Sequence, residues 1–140
     1  MSRGLLRAIA VVALLGGAVT GSSGCAVACP AIGWFNGATL DTSAVPDAVA
    51  VQFCVEGECS PAPGTEPTSS TNLFVVTPQD DGTWVLGLDM SAPDVIDIRL
   101  FDAQNALIHE SEESISWTHS TEPCGGPSTA DPIVVEPGTS

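Results

Sequence analysis

Cysteine is the residue type in this chain whose spacing most directly indicates chemistry. Five cysteines occur, and the first, Cys25, follows the small residues 22–24 at the end of an apolar N-terminal segment. Signal peptidases that process lipoproteins cut before such a cysteine, which then carries a diacylglycerol. We therefore expect lipidation at Cys25, although Ser22 stands where these sites usually have an aliphatic residue. The alternatives are lipidation at Cys29 and cleavage without lipidation.

The residues before Cys25 have the three-part layout of an export signal. Arg3 and Arg7 precede an apolar run at 8–15 and a stretch of small residues, and the run is shorter than the ~20 residues of a membrane-spanning helix. The sequence predicts a lipoprotein signal peptide at 1–24, the lipid-anchor Cys25 with a short tether at 25–30, and one domain at 31–140. The expected location is the extracytoplasmic face of the cell membrane, with the lipid on Cys25 as the membrane contact.

The remaining cysteines form an even set, which in an oxidising compartment predicts two disulfides. Cys54 and Cys59 enclose a turn-like segment, and chain reversal near Gly57 would bring their Cα atoms to about 5.5–6 Å. This pairing leaves Cys29 with Cys124. The two rival pairings, in which Cys29 takes Cys54 or Cys59, would instead connect two sheets.

Histidine and serine do not form a recognisable catalytic motif. A hydrolase triad needs a serine on a sharp turn and a histidine held by a carboxylate, and no G-x-S-x-G accompanies His109 or His119. The same two histidines with a carboxylate are the candidate zinc ligands, but their spacing matches no established site. We predict no catalytic residue, no metal site, no cofactor and no enzymatic activity.

The charge of the chain is strongly negative. Beyond residue 24, one basic residue, Arg99, stands against 17 carboxylates, a net charge of −16 (1 − 17). Without a basic cluster the chain cannot pair with phosphates, which excludes nucleic acid as a partner. Mutual repulsion of the carboxylates predicts weak divalent cation binding, although no calcium-loop motif occurs. Asp80-Asp81-Gly82 is better explained as a hairpin turn.

The elements that would position these residues are strands. No window keeps a helical period for three turns, whereas short blocks alternate with period two between Gly, Pro, Asp and Asn. The expected inward sets are Val49, Val51, Phe53 and Val55; Trp84, Leu86, Leu88 and Met90; and Ile96, Ile98 and Leu100. Residues 60–71, rich in Pro, Ser and Thr, indicate a surface loop. The sequence predicts an all-β, immunoglobulin-like or transthyretin-like sandwich of about seven strands with two disulfides; a small barrel is the alternative.

Three segments together resemble a known family. They are CPAIGWFNGATLD at 29–41, VQFCVEGECS at 51–60 and EPCGGP at 122–127, with a DDGTW turn at 80–84. The chain resembles small lipoproteins of unknown activity from high-GC Gram-positive (actinobacterial) bacteria. The resemblance implies a cell-envelope location and no particular activity.

These observations favour a surface-tethered, non-enzymatic binding or interaction module of the cell envelope, with a protein or glycan partner that the sequence does not identify. A structural or accessory envelope protein and a small hydrolase are the alternatives. An exposed apolar patch would favour the binding module. A buried cluster of His, Ser and carboxylate would favour the hydrolase.

Overall fold

The computed structural model describes residues 28–31, 33–65 and 74–137. The predicted signal peptide and Cys25 lie outside the described residues, as do positions 66–71 of the predicted loop. Within the described ranges every regular element is a β-strand. No helix among these residues is long and apolar enough to cross a membrane.

Ten strands follow one another along the described chain. They are β1 (Gly37–Asp41), β2 (Ala50–Val55), β3 (Glu58–Cys59), β4 (Val75–Pro78), β5 (Thr83–Gly87), β6 (Val95–Phe101), β7 (Leu107–Ser114), β8 (Trp117–Thr118), β9 (Thr129–Ala130) and β10 (Ile133–Val134). Ten exceeds the expected seven by three, and four of the ten strands, β3, β8, β9 and β10, have only two residues each.

The strands form two sheets. One has six strands in the order β4-β5-β1-β9-β8, with β10 also pairing with β1, and the other has four in the order β3-β2-β6-β7. The chain is therefore an all-β sandwich, as predicted. Both β9 and β10 run parallel to β1, whereas β1 and β5 are antiparallel.

The core lies between the sheets and follows the predicted alternation. In β6, Ile96, Ile98 and Leu100 are at most 1% exposed, and they meet inward residues of β1, β2 and β5. Each such side chain contributes about 1.5–3 kcal/mol by leaving water. Arg99 faces outward as expected, and its Nε donates to Oε1 of Glu110 at 2.7 Å.

Two residues predicted to face the core are exposed. Met90 is 53% exposed because β5 ends at Gly87 and Asp89, with φ of 53°, turns the chain before Met90. Val49 is 54% exposed because β2 begins one residue later. In both cases the alternation was extended beyond the end of the strand.

Strand β7 has eight residues, most of them polar, so its extent is not marked by a run of apolar residues. It includes His109, Ser111 and Glu113, which point inward and are only half-buried. β7 is the edge strand of the four-stranded sheet. An edge strand has one neighbouring strand, so a polar inward face there retains contact with water.

Both predicted disulfides are present. Cys29 pairs with Cys124, with Cα atoms 5.2 Å apart, and Cys54 pairs with Cys59, with Cα atoms 3.9 Å apart. The second distance is shorter than expected because the two cysteines are directly opposite each other in the β2–β3 hairpin. They occupy a non-hydrogen-bonded pair, in which strands approach more closely. Gly57, with φ of 89°, reverses the chain there.

Candidate functional site

An apolar cleft opens along one side of the sandwich, between edge strand β4 of one sheet and β2 of the other. It arises because β3 ends at Cys59, and the chain beyond it contains Pro61 and Pro63. Proline has no N–H and cannot continue the ladder. The side of β2 beyond β3 is therefore left without a paired strand in the described part of the chain.

This edge cleft has a volume of about 320 Å³, and none of its nine lining residues carries a charge. Its walls include Val49, Val51, Pro61, Phe74, Val76 and Trp84. The volume lies at the lower end of the range of about 300–1,000 Å³ that is typical of small-molecule sites. The cleft therefore has the size and the apolar lining of a binding site for one small apolar group.

The walls of the edge cleft are held by contacts on both sheets. The rings of Phe53 and Phe74 lie 5.1 Å apart between their centroids, and this contact joins β2 to the residue that precedes β4. The indole Nε1 of Trp84 donates to Oγ1 of Thr42 at 3.2 Å. Since that N–H is engaged, the indole presents only its apolar ring to the cleft.

The backbone of β2 adds polar groups at the mouth of the edge cleft. The Phe53 N–H donates to Oγ of Ser60 at 3.0 Å, and the Phe53 carbonyl accepts from the Ser60 N–H at 2.8 Å. Backbone groups alternate in direction along a strand, so those of Val51 point to the same side, past the end of β3. An occupant of the cleft would meet a backbone donor and acceptor there.

Histidine and serine meet elsewhere, near the end of the sandwich where β1 begins. His119 Nδ1 lies 3.0 Å from Oγ of Ser128, and the Ser128 N–H donates to Oδ1 of Asn36 at 2.7 Å. Ser128 is 8% exposed. Among the described residues, His119 has no carboxylate as a hydrogen-bond partner, so the pair lacks the third member of a triad.

The other histidine lies far from this pair. His109 is on β7 opposite Leu100, toward the end of β6, whereas His119 follows β8 in the other sheet. The structure does not bring the two candidate zinc ligands together. In the parts of the chain described, no group of three or more His, Cys, Asp or Glu side chains is arranged to hold a metal ion. The Nε2 atom of His109 is buried and has no hydrogen-bond partner.

Among the described residues, two carboxylates have a lowered pKa: Asp81 in the turn before β5 and Asp41 at the end of β1. Hydrogen bonds from the Thr83 hydroxyl and backbone N–H lower the pKa of Asp81 below 3.8. The backbone N–H and side chain of Ser43 lower the pKa of Asp41 in the same way. Hydrogen bonds to the ionised form favour it. Both shifts follow from turn geometry and mark no binding site.

The residues of the edge cleft were not predicted as a site. Val51 was predicted as an ordinary inward-facing core residue, and no role was predicted for Val76. The available signal was the proline-rich segment that follows Cys59, because it indicates that a sheet edge is left open. Cys25, the predicted lipidation site, lies outside the described residues, so its modification stays a prediction.

Comparison of this chain with protein-family models, with curated proteins and with solved structures gave no match.

Proposed function

We propose that this protein is a lipoprotein of the cell envelope that is anchored to the membrane through Cys25 and holds a neutral apolar group in the edge cleft. The observation that carries the binding role is the uncharged lining of a cleft of about 320 Å³. A protein with only a structural role has no need for such an opening, because closing it would bury more apolar surface.

The charge of the chain restricts the ligand. With a net charge of −16 beyond residue 24, the domain repels anions as they approach, and salt weakens this repulsion only partly. Ionised fatty acids and acidic peptides are therefore poor ligands. A neutral hydrocarbon group, or an apolar group attached to a cation, suits both the apolar lining of the cleft and the negative electrostatic field of the domain.

The anchoring role is supported by the sequence before Cys25 and by the disulfides. Two disulfides indicate an oxidising compartment, which cytosolic proteins rarely encounter. The resemblance to actinobacterial lipoproteins points to the same location. Mass spectrometry of the protein from a membrane fraction tests the anchor, since a diacylglycerol on Cys25 adds a defined mass. Intact, unlipidated protein found only in the medium would contradict it.

Binding in the edge cleft is tested with a neutral apolar dye whose fluorescence rises on leaving water. Val75 lines the cleft and is 53% exposed, and Val134, also in a strand of the same sheet, is 51% exposed away from it. We expect Val75→Asp to weaken dye binding several-fold and Val134→Asp to leave it unchanged. The fluorescence of Trp84, in the cleft wall, should change on dye binding. Equal effects of the two variants would contradict the proposal.

A further inference from the structure

One end of the sandwich combines the start of the described chain with exposed apolar side chains. The disulfide between Cys29 and Cys124 lies at this end. There Gly125 packs against the ring of Trp34, since a Cβ on Gly125 would lie 2.7 Å from the ring. We call this end, formed by the disulfide, Trp34, Phe35 and Met90, the anchor pole.

Phe35 and Met90 are neighbours at the anchor pole. Phe35 precedes the buried Asn36 in the chain, and Met90 contacts Asn36 from the segment that follows β5. The backbone N–H of Asn36 donates to the Asp89 carbonyl at 2.6 Å, and its side chain donates to the Met90 carbonyl at 3.1 Å. Phe35 is 67% exposed, the most of any large apolar side chain in the described residues, and Met90 is 53% exposed. Asn36 points inward, whereas the exposure of Phe35 shows that its ring faces solvent.

The covalent chain limits how far the anchor pole can lie from the proposed lipid. Cys25 precedes Cys29 by four positions, and a fully extended chain covers at most about 14 Å over that distance. The disulfide ties Cys29 to Cys124, so the tether leads directly into the folded domain. A longer linker would let the domain rotate freely above the membrane, but this one holds the anchor pole at the lipid surface.

We propose that the anchor pole faces the membrane and that Phe35 and Met90 enter the lipid interface, which orients the domain and presents the edge cleft sideways. This inference rests on the proposed lipidation of Cys25. Aromatic and apolar side chains are favoured at the boundary between headgroups and acyl chains. The two acyl chains of a diacylglycerol already anchor the protein stably, so the apolar contact of the anchor pole sets the orientation of the domain rather than its attachment.

Charge determines which lipid surface suits the anchor pole. The domain has no lysine and a single arginine, Arg99, which is already paired with Glu110 on the outer face of the four-stranded sheet. The exposed carboxylates of Glu122 and Asp94 lie near this end. Attachment is therefore apolar, and anionic headgroups oppose it. The partner surface is a zwitterionic bilayer or a zwitterionic region of one.

The test uses the protein purified with its lipid and reconstituted into phosphatidylcholine vesicles that contain brominated acyl chains, which quench nearby tryptophan. Trp84 is opposite Leu40 in the β1–β5 ladder, and Trp34 lies three positions before β1. At strand spacing, the six positions between Trp34 and Leu40 span at most about 20 Å. We expect several-fold stronger quenching in Trp84→Phe/Trp117→Phe, which retains Trp34, than in Trp34→Phe/Trp117→Phe, which retains Trp84. Adding anionic phosphatidylglycerol should reduce the Trp34 quenching.

Matched variants distinguish insertion of the anchor pole into the lipid from tethering of the domain by the lipid on Cys25 alone. Phe35→Ser/Met90→Ser should reduce the quenching of Trp34 to the level of Trp84, whereas Leu107→Ser, an equally exposed residue on β7 (51%), should have no effect. If the tryptophan variants do not fold, hydrogen exchange of the wild-type protein replaces them. Vesicles should then protect residues 33–36 and 88–92 but not 103–107. Equal quenching or equal protection at both ends overturns the inference.

The proposed lipidation of Cys25 and the proposed orientation of the domain can be tested separately. If mass spectrometry finds no lipid on Cys25, the anchoring proposal is wrong, and the free Cys25 thiol of the processed chain is then coupled to a maleimide lipid in the same vesicles. Quenching of Trp34 under those conditions supports an interfacial anchor pole. Its absence in lipidated protein overturns the inference while leaving the anchor itself in place.

Discussion

The side-chain Oδ1 of Asn36 accepts a hydrogen bond from the backbone N–H of Ser128 at 2.7 Å, although the two residues are 92 positions apart. The Nδ2 atom of the same side chain donates to the carbonyls of Met90 and Ser91 at 3.1 and 2.8 Å. Asn36 is 2% exposed. One buried amide therefore joins three chain segments at the end of the sandwich where β1 begins.

Replacing this amide should destabilise the fold substantially. Asn36→Ala leaves the Ser128 N–H and two carbonyls without their partner, and each buried unpaired group costs about 1–3 kcal/mol. We expect a loss of about 3 kcal/mol in the free energy of unfolding, measured by urea denaturation. Gln104→Ala, which removes an exposed amide in the turn before β7, is the control. Equal midpoints for the two variants would show that the Asn36 network contributes little.

Substituting two glycines that have a left-handed backbone distinguishes the cost of conformational strain from the cost of a packing clash. Gly57 has φ of 89° and open space around it, whereas a Cβ on Gly125, with φ of 75°, would lie 2.7 Å from the Trp34 ring. We expect Gly57→Ala to cost about 1 kcal/mol through backbone strain. Gly125→Ala should cost about 1–3 kcal/mol more through the clash. Thermal melting of both variants measures the difference, and a Gly125→Ala protein as stable as Gly57→Ala would contradict the close contact.

The two disulfides should contribute unequally to stability. The Cys29–Cys124 bridge spans a sequence separation of 95 residues, and the Cys54–Cys59 bridge spans 5. In the chain-entropy model the long loop is worth about 4.7 kcal/mol and the short one about 2 kcal/mol. We expect Cys29→Ser/Cys124→Ser to lower the urea midpoint more than Cys54→Ser/Cys59→Ser. A reversed order would mean that native contacts around the hairpin outweigh loop entropy.

Acid should weaken the β4–β5 hairpin turn through Asp81. The Thr83 hydroxyl and N–H donate to Oδ1 of Asp81 at 2.7 and 3.0 Å, and the first of these bonds is the larger cause of its lowered pKa. Since the folded pKa lies below the unfolded value, the stabilisation is present above that value and is lost as the pH falls through the folded pKa.

Asp81→Asn should accordingly reduce the dependence of stability on pH below 3.8, measured as urea midpoints across a pH series. Asp80→Asn, at the neighbouring carboxylate of the same turn, controls for the change in net charge. If the two variants have the same pH profile as each other, the hydrogen bonds from Thr83 do not couple folding to protonation.

Salt should stabilise the folded domain. At a net charge of −16 beyond residue 24, the carboxylates repel one another more strongly in the compact state, and salt screens this repulsion over about 10 Å at 0.1 M. We expect the melting temperature to rise gradually with sodium chloride. A rise seen only with calcium, and saturating at low concentration, would instead indicate a specific cation site.

The fold class could be predicted from the sequence because its determinants are local. Alternation in residues 95–101 identified Ile96, Ile98 and Leu100 as inward-facing and Arg99 as outward-facing. The hairpin between Cys54 and Cys59 followed from a short turn. In each case, neighbouring positions are held by strand geometry, in which successive side chains point to opposite faces.

Strand limits were less predictable, as Met90 and β7 illustrate. Whether alternation continues depends on the strand next to it, and an edge strand such as β7 can tolerate His109 and Glu113 on its inward face. The candidate site could not be located from the sequence, because the prolines after Cys59 indicate only that a sheet edge is left open. The edge cleft exists because β2 and β4, from different sheets, border a side that β3 is too short to close.

The sequence by itself therefore determined an acidic, disulfide-linked all-β domain, since composition, cysteine parity and period-two patterns are properties of the chain alone. Only the tertiary structure decided the packing of Trp34 on Gly125, the bond between Asn36 and Ser128, and the opening of the edge cleft. Each of these joins residues far apart in sequence. Their proximity depends on how two sheets stack, and no local spacing encodes that arrangement.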